Sequence, residues 1–206
     1  MKKQIGFTLI EMAIVLVIVG LLLGGVLGGQ ELINSAKVKS LATDFRKIPV
    51  YINTYQDKFK ALPGDDAGAT NHVGASANGD SDGLIAGAWD EAKDLTKESV
   101  LFWQHVRLAG LATGSAKTTD AAFFPTNAEG GRLGVSSSTP ITGLSGQYYM
   151  CSKGIAGRLA KQLDVTMDNG TSADGVIQAL EQGATVGTTA ATAYDDNKTY
   201  IVCMAL

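Results

Sequence analysis

The start of the chain constrains it most. From Phe7 to Leu27 the only clearly polar side chains are Thr8 and Glu11. An apolar run of about 20 residues is long enough to cross a bilayer as a helix. Lys2 and Lys3 precede it, and basic flanks stay cytoplasmic, so the rest of the chain is expected outside. A secretory signal peptide also begins with positive charge and an apolar core, but this core is longer and no A-x-A cleavage site follows. A plain membrane anchor accounts for the length and leaves Glu11 unexplained. A carboxylate within a membrane segment costs a few kcal/mol even on lenient scales, which marks it as functional. No Lys or Arg lies within a helical turn downstream of Glu11. A free amine would serve as its partner, and cleavage after Gly6 would create one on Phe7.

The stretch GFTLIE, with its short basic leader, Gly6 before the cut, Phe7 after it and Glu11 four residues on, resembles the processing site of type IV prepilins and of type II secretion pseudopilins. The resemblance covers Met1 to about Leu32. It implies that a prepilin peptidase cuts after Gly6 and methylates the amine of Phe7. It also implies that the apolar helix stays attached as the filament core, and that Glu11 pairs with the Phe7 amine of a neighbouring subunit. The expected fold is the α+β pilin fold, a long kinked N-terminal helix, transmembrane in its first half, packed on a small antiparallel β-sheet head. Residues 1–6 would be leader, 7–29 the transmembrane or filament-core helix, 30–60 its amphipathic half and 61–206 the head.

The implied partners are further copies in a helical filament, other pilin subunits, the prepilin peptidase, an assembly platform and, before assembly, membrane lipid. The implied locations are the cytoplasmic membrane, as a single-pass protein with its head outside, and then the extracellular pilus. Three roles remain open: a major or minor pilin, a pseudopilin, and a membrane-tethered or pilus-tip binding module.

Gly20, Gly24 and Gly28 share one helical face, with Gly25 and Gly29 beside it. Small residues at this spacing let helices approach closely in lipid. Each also weakens the helix by about 1 kcal/mol relative to Ala. Gly28 stands where many type IV pilins carry a proline, which implies easy local unwinding.

Beyond Gly29, Leu41, Phe45, Ile48, Ile52, Tyr55 and Phe59 recur at steps of four and three. That is the stripe of an amphipathic helix, which predicts a helix from Phe7 to about Lys58. Pro49 removes one backbone donor, so a kink is expected there. ALPGDD ends the helix with turn chemistry.

In NGDSDG, Asn78, Asp80 and Asp82 alternate ahead of Gly83, like the opening of a calcium loop. The closing position is Trp89, so Asp90, Glu91 or the more distant Glu98 would have to supply the last carboxylate. The competing reading is a solvated turn whose Asp and Asn side chains bond their own backbone. A second acidic group, Asp164, Asp168 and Asp174, reads as a turn.

DEAKDLTKESVLFWQHVRLAGL predicts a second helix with apolar faces. His105 on it is expected to make an ordinary hydrogen bond, and His72 falls in a loop. Residues 112–146 read as a long surface loop with short strands anchored by Phe123, Phe124 and Leu133. GQYYMCS (146–152) predicts a strand, GIAGRLAKQLD (154–164) a short helix, and KTYIVCMAL a closing strand.

Cys151 and Cys203 lack metal-site spacing. Outside the cytoplasm they are expected to form a disulfide; in the cytosol they would be two buried thiols. A C-terminal disulfide-bounded region is typical of type IV pilins, which tilts the reading toward a pilin.

The 206 residues carry a formal net charge of -3, and no basic patch interleaved with aromatics is present, so nucleic-acid binding is not expected. No nucleophile–base arrangement, complete metal set, phosphate loop or cofactor fingerprint supports an enzyme. No cofactor is expected, calcium excepted.

Overall fold

The computed structural model describes residues 8–206. By chain contacts it divides into a unit ending at Lys37 and a unit from Val38 to Leu206. The first helix, α1 (Leu9–Phe59), spans that division and runs through Pro49. Over its first half the described large apolar side chains, Leu9 to Val26 and then Leu32 and Ile33, are exposed in the single chain. It is the one helix among the described residues long and apolar enough to cross a membrane.

From Val38 onward α1 is amphipathic as its spacing requires. Leu41, Phe45, Ile48, Ile52 and Tyr55 are buried, while Lys39, Thr43 and Lys47 face out. Fully burying each large apolar side chain contributes about 1.5–3 kcal/mol.

The stripe packs on a four-stranded antiparallel sheet in the order β1-β2-β4-β3. Its strands are β1 (Leu133–Ser136), β2 (Tyr149–Ala156), β3 (Ile177–Glu181) and β4 (Thr199–Ala205). Side chains alternate between the two faces. Met150, Ile155, Ile177, Ala179, Tyr200, Val202 and Met204 join the α1 core, together with Leu159 and Leu163 of α4 (Gly157–Met167). Tyr149, Cys151, Leu180, Ile201 and Cys203 lie on the opposite face, under Trp89, Ile141 and Leu144. This architecture is the α+β layout expected of a pilin fold.

Both sheet edges are closed by loops. At β1, Ser137 N–H donates to Ile85 O and Leu133 N–H to Pro125 O. At β3, Ala179 N–H donates to Ser172 O and its carbonyl accepts from Ala191. Closed edges block strand addition between copies. Gly134 permits the closure at β1, since a Cβ there would lie 1.8 Å from Trp89 O.

Several expectations change. The helix sought over 90–111 is α3 (Glu98–Leu108), and it starts late. Asp94 forms a turn, its Oδ1 accepting from Thr96 N–H and its carbonyl from Lys97, which competes with helix. Residues 98–107 of α3 are buried all round. Its polar side chains bond loop backbone: Gln104 reaches Ser76 and Ala116, and Arg107 reaches Thr113, Ser115 and Phe123.

The segment 112–146 is not all surface loop, because Val135, Ile141 and Leu144 are buried. β2 extends to Ala156, so α4 begins at Gly157 rather than near 154. His72 closes the short helix α2 (Ala69–His72) instead of lying in a loop.

Candidate functional site

Gly6 and Phe7 lie outside the described residues. The first described residue, Thr8, opens α1 with a reciprocal cap. Thr8 N–H and Oγ1–H donate to Glu11 Oε2 at 2.8 and 2.6 Å, and Glu11 N–H reaches Thr8 Oγ1 at 3.3 Å. This is the T-x-x-E capping box, in which two groups three residues apart satisfy each other's donors. Glu11 therefore already has a local partner, a role the sequence reading missed although Thr8-Leu9-Ile10-Glu11 spells it.

The second site lies where α1 ends. Asp65, Asp80, Asp82 and Glu98 each present one carboxylate oxygen, all within 4.8 Å of one another. Asp65 and Glu98 are 3% and 5% exposed; Asp80 and Asp82 are exposed. Three chain segments build the group. Asp65 sits in the turn after α1, Asp80 and Asp82 in the loop that crosses it, and Glu98 in the first turn of α3.

Asp65 accepts from Asp82 N–H at 3.1 Å and from Gly83 N–H at 2.9 Å. Glu98 accepts from Asp80 N–H at 3.0 Å and Ala86 N–H at 2.9 Å. Gly79 lets the crossing loop lie on Asp65, because a Cβ there would come within 2.3 Å of its backbone. Burial pushes both the Asp65 and Glu98 carboxyls up; backbone hydrogen bonds oppose this, and neighbouring carboxylates add to it. Among the described residues no lysine or arginine forms an ion pair with any of the four. Like charges held this close in partial burial favour a proton or a bound cation.

Of the candidates read from sequence, Asp80 and Asp82 belong to the group. Asn78, two residues before Asp80, has its Oδ1 accepting from Thr70 N–H at 2.8 Å. Glu98 enters as the distant carboxylate. Asp65 was missed, since PGDD reads as an ordinary turn.

The neighbouring Asp66 faces the other way. It accepts from Tyr55 OH at 2.7 Å and Gly68 N–H at 2.7 Å, and bonds His72 Nδ1 at 2.8 Å. Burial pushes its carboxyl up, but these hydrogen bonds prevail and hold it below the usual range.

His105 anchors the same turn. Its Nδ1 accepts from Gly64 N–H at 3.0 Å, so the proton sits on Nε2 and is donated to Ala77 O at 3.2 Å. Burial pushes its pKa below the ordinary 6.5. A His held neutral in the fold contributes stability above its unfolded pKa, which is lost as pH falls below about 6.5 toward the folded value. Thermal melts of the wild type should therefore fall with acidification from about pH 6.5 more steeply than those of His105→Gln. Parallel melting curves would refute this role.

Asp164 accepts from Tyr194 OH at 2.6 Å and Gly170 N–H at 2.9 Å, while Asp168 accepts from Ile177 N–H at 2.9 Å. These carboxylates fasten loops, as their turn reading implies. Cys151 and Cys203 face each other in the β2–β4 register and are joined by a disulfide. Both sit inside their strands, and both are buried.

The family model for the prokaryotic N-terminal methylation motif matches residues 1–27. The chain carries the class III signal of type IV pilins and pseudopilins. The matched residues include Gly6, Phe7, Thr8 and Glu11, so the capping box lies within the matched motif. Type IV pilins and pseudopilins, the proteins that carry such a signal, are structural subunits rather than enzymes and generally need no cofactor. The signal and the exposed apolar helix together indicate anchoring in a membrane before assembly. Comparison with curated proteins and with solved structures gave no match.

Proposed function

We propose that the chain is a structural subunit of a type IV pilus. Prepilin peptidase cuts it after Gly6 and methylates Phe7. The subunit then waits in the cytoplasmic membrane as a single-pass protein with its head outside. An assembly platform polymerises it through α1 into an extracellular filament, with other copies and other pilin subunits. The observation that carries this reading is the continuous apolar surface of α1, opened by the Thr8–Glu11 cap within the methylation motif. The closed sheet edges support it, since they leave the helix as the element available for polymerisation.

The alternative is a pseudopilin of a type II secretion system, which would use the same N-terminus. The disulfide favours the pilin. Immunogold labelling of whole cells tests the choice: label along surface filaments supports the pilus, and label confined to the envelope supports the pseudopilin.

A second reading concerns Asp65, Asp80, Asp82 and Glu98, whose oxygen donors suit calcium. In this reading the ion offsets part of the group's negative charge and locks the 77–86 loop onto α3. At calcium one hundred times its dissociation constant, the gain is about 2.7 kcal/mol, or roughly 5–10 °C in Tm for a chain of this size. Chelation should reverse it, and Glu98→Gln should abolish most of the shift. An identical melt with calcium and with chelator would refute the reading.

A further inference from the structure

A cavity of about 170 Å³ lies between α1, α3 and the sheet. Ile48, Leu133 and Met150 give it apolar surface, and Tyr51 and Trp103 give it aromatic walls. Arg107 also lines it and is only 8% exposed. Its guanidinium is fixed: Nε donates to Thr113 O at 3.0 Å, and Nη1 to Ser115 O at 2.8 Å and to Phe123 O. The Trp103 and Phe123 rings flank it, 5.8 and 5.5 Å from the guanidinium carbon.

Carbonyls satisfy these donors and leave the charge uncompensated. No carboxylate among the described residues forms an ion pair with Arg107, and no protein acceptor among them takes Nη2. The Trp103 indole N–H is also buried without an acceptor. Asp44 and Lys47, 3.8 Å apart, line the same cavity and offset each other. The lining therefore has one net positive charge, placed on a rigid planar fork.

We infer that this cavity binds a small monocarboxylate with a flat apolar body. The carboxylate would accept a charge-assisted hydrogen bond from Arg107 Nη2 and supply the missing counter-charge. The apolar body would lie against Met150, Leu133 and the Trp103 ring. A cavity of about 150 Å³ admits benzene, which sets the size of the occupant. The single net positive charge of the lining matches a monoanion rather than a dianion such as phosphate. The inference is independent of whether the chain is a pilin or a pseudopilin.

The test uses the full chain in detergent micelles, with its tryptophans labelled with nitrogen-15 and the two indole signals assigned by Trp103→Phe. Benzoate is the probe and benzamide its neutral counterpart. The Trp103 indole resonance should shift saturably with benzoate, with a dissociation constant on the order of 1 mM. Trp89, in the cluster on the opposite sheet face, should stay put. Benzamide should bind at least ~10-fold more weakly, because it lacks the charge. Arg107→Gln, where it folds, should reduce benzoate binding to the benzamide level. If that variant fails to fold, the two probes on the wild type decide. No saturable benzoate shift, or equal binding of benzamide, would overturn the site.

Discussion

A Glu11→Gln chain is expected to be cut, inserted and capped like the wild type, and still to yield roughly 100-fold less filament. The proposed mechanism turns on one charge. Within lipid or filament core the Glu11 carboxylate is poorly solvated, and the new amine on a neighbouring subunit's Phe7 is its complement. An ion pair broken on one side in a low-dielectric setting costs about 3–5 kcal/mol, because the other charge stays unpaired.

The Thr8–Glu11 cap offers a rival explanation, since losing it costs about 1 kcal/mol of helix stability. Glutamine separates the two. It can occupy the last position of a capping box while carrying no charge. Thr8→Val makes the reverse change, removing the cap's hydroxyl and keeping the carboxylate. The pairing model predicts severe loss with Glu11→Gln and a mild one with Thr8→Val. Normal filament yield from Glu11→Gln would leave the carboxylate with only its local role.

Removing the disulfide should cost the head about 4 kcal/mol by the chain-entropy account, given the sequence separation of 52 residues. Total stabilities of domains are about 5–15 kcal/mol, so this share is large. The Cys151→Ala/Cys203→Ala chain should melt roughly 8–16 °C below the wild type. Alanine is the appropriate replacement because both positions are fully buried on the face shared with Tyr149, Leu180 and Ile201. A serine there would add an unpaired hydroxyl and confuse the result. Equal melting of the variant and the oxidised wild type would show that the closed sheet alone holds the β2–β4 pair.

The long helix was legible because its signals are local. Twenty apolar residues and a stripe from Leu41 to Phe59 announce themselves without knowledge of the rest of the chain. The closing strand, with Tyr200 and Val202 on one face and Cys203 on the other, was legible for the same reason. β1 was not. Leu133-Gly134-Val135-Ser136 is too short to show a period, and pairing with β2 makes it a strand. α3 misled in another way. Its apolar faces were legible, but no local signal shows that Gln104, His105 and Arg107 are buried too, since loops outside the helix supply their partners.

The acidic group shows the same limit. Asp80 and Asp82 stood out by spacing, whereas Asp65 is brought in by the crossing of the loop at Gly79. Asn78 shares that spacing, and its side chain accepts from Thr70 N–H, eight residues back, a contact the spacing does not show. Thr8 is the opposite case, since its cap with Glu11 is spelled by four consecutive residues.

The most direct test of the central claim is the intact mass of the subunit in filaments sheared from cells, taken with and without reductant. The expected species begins at Phe7, is heavier by one methyl group and gains two hydrogens on reduction. A chain still carrying residues 1–6, in a cell with active prepilin peptidase, would contradict the account and leave a plain membrane anchor.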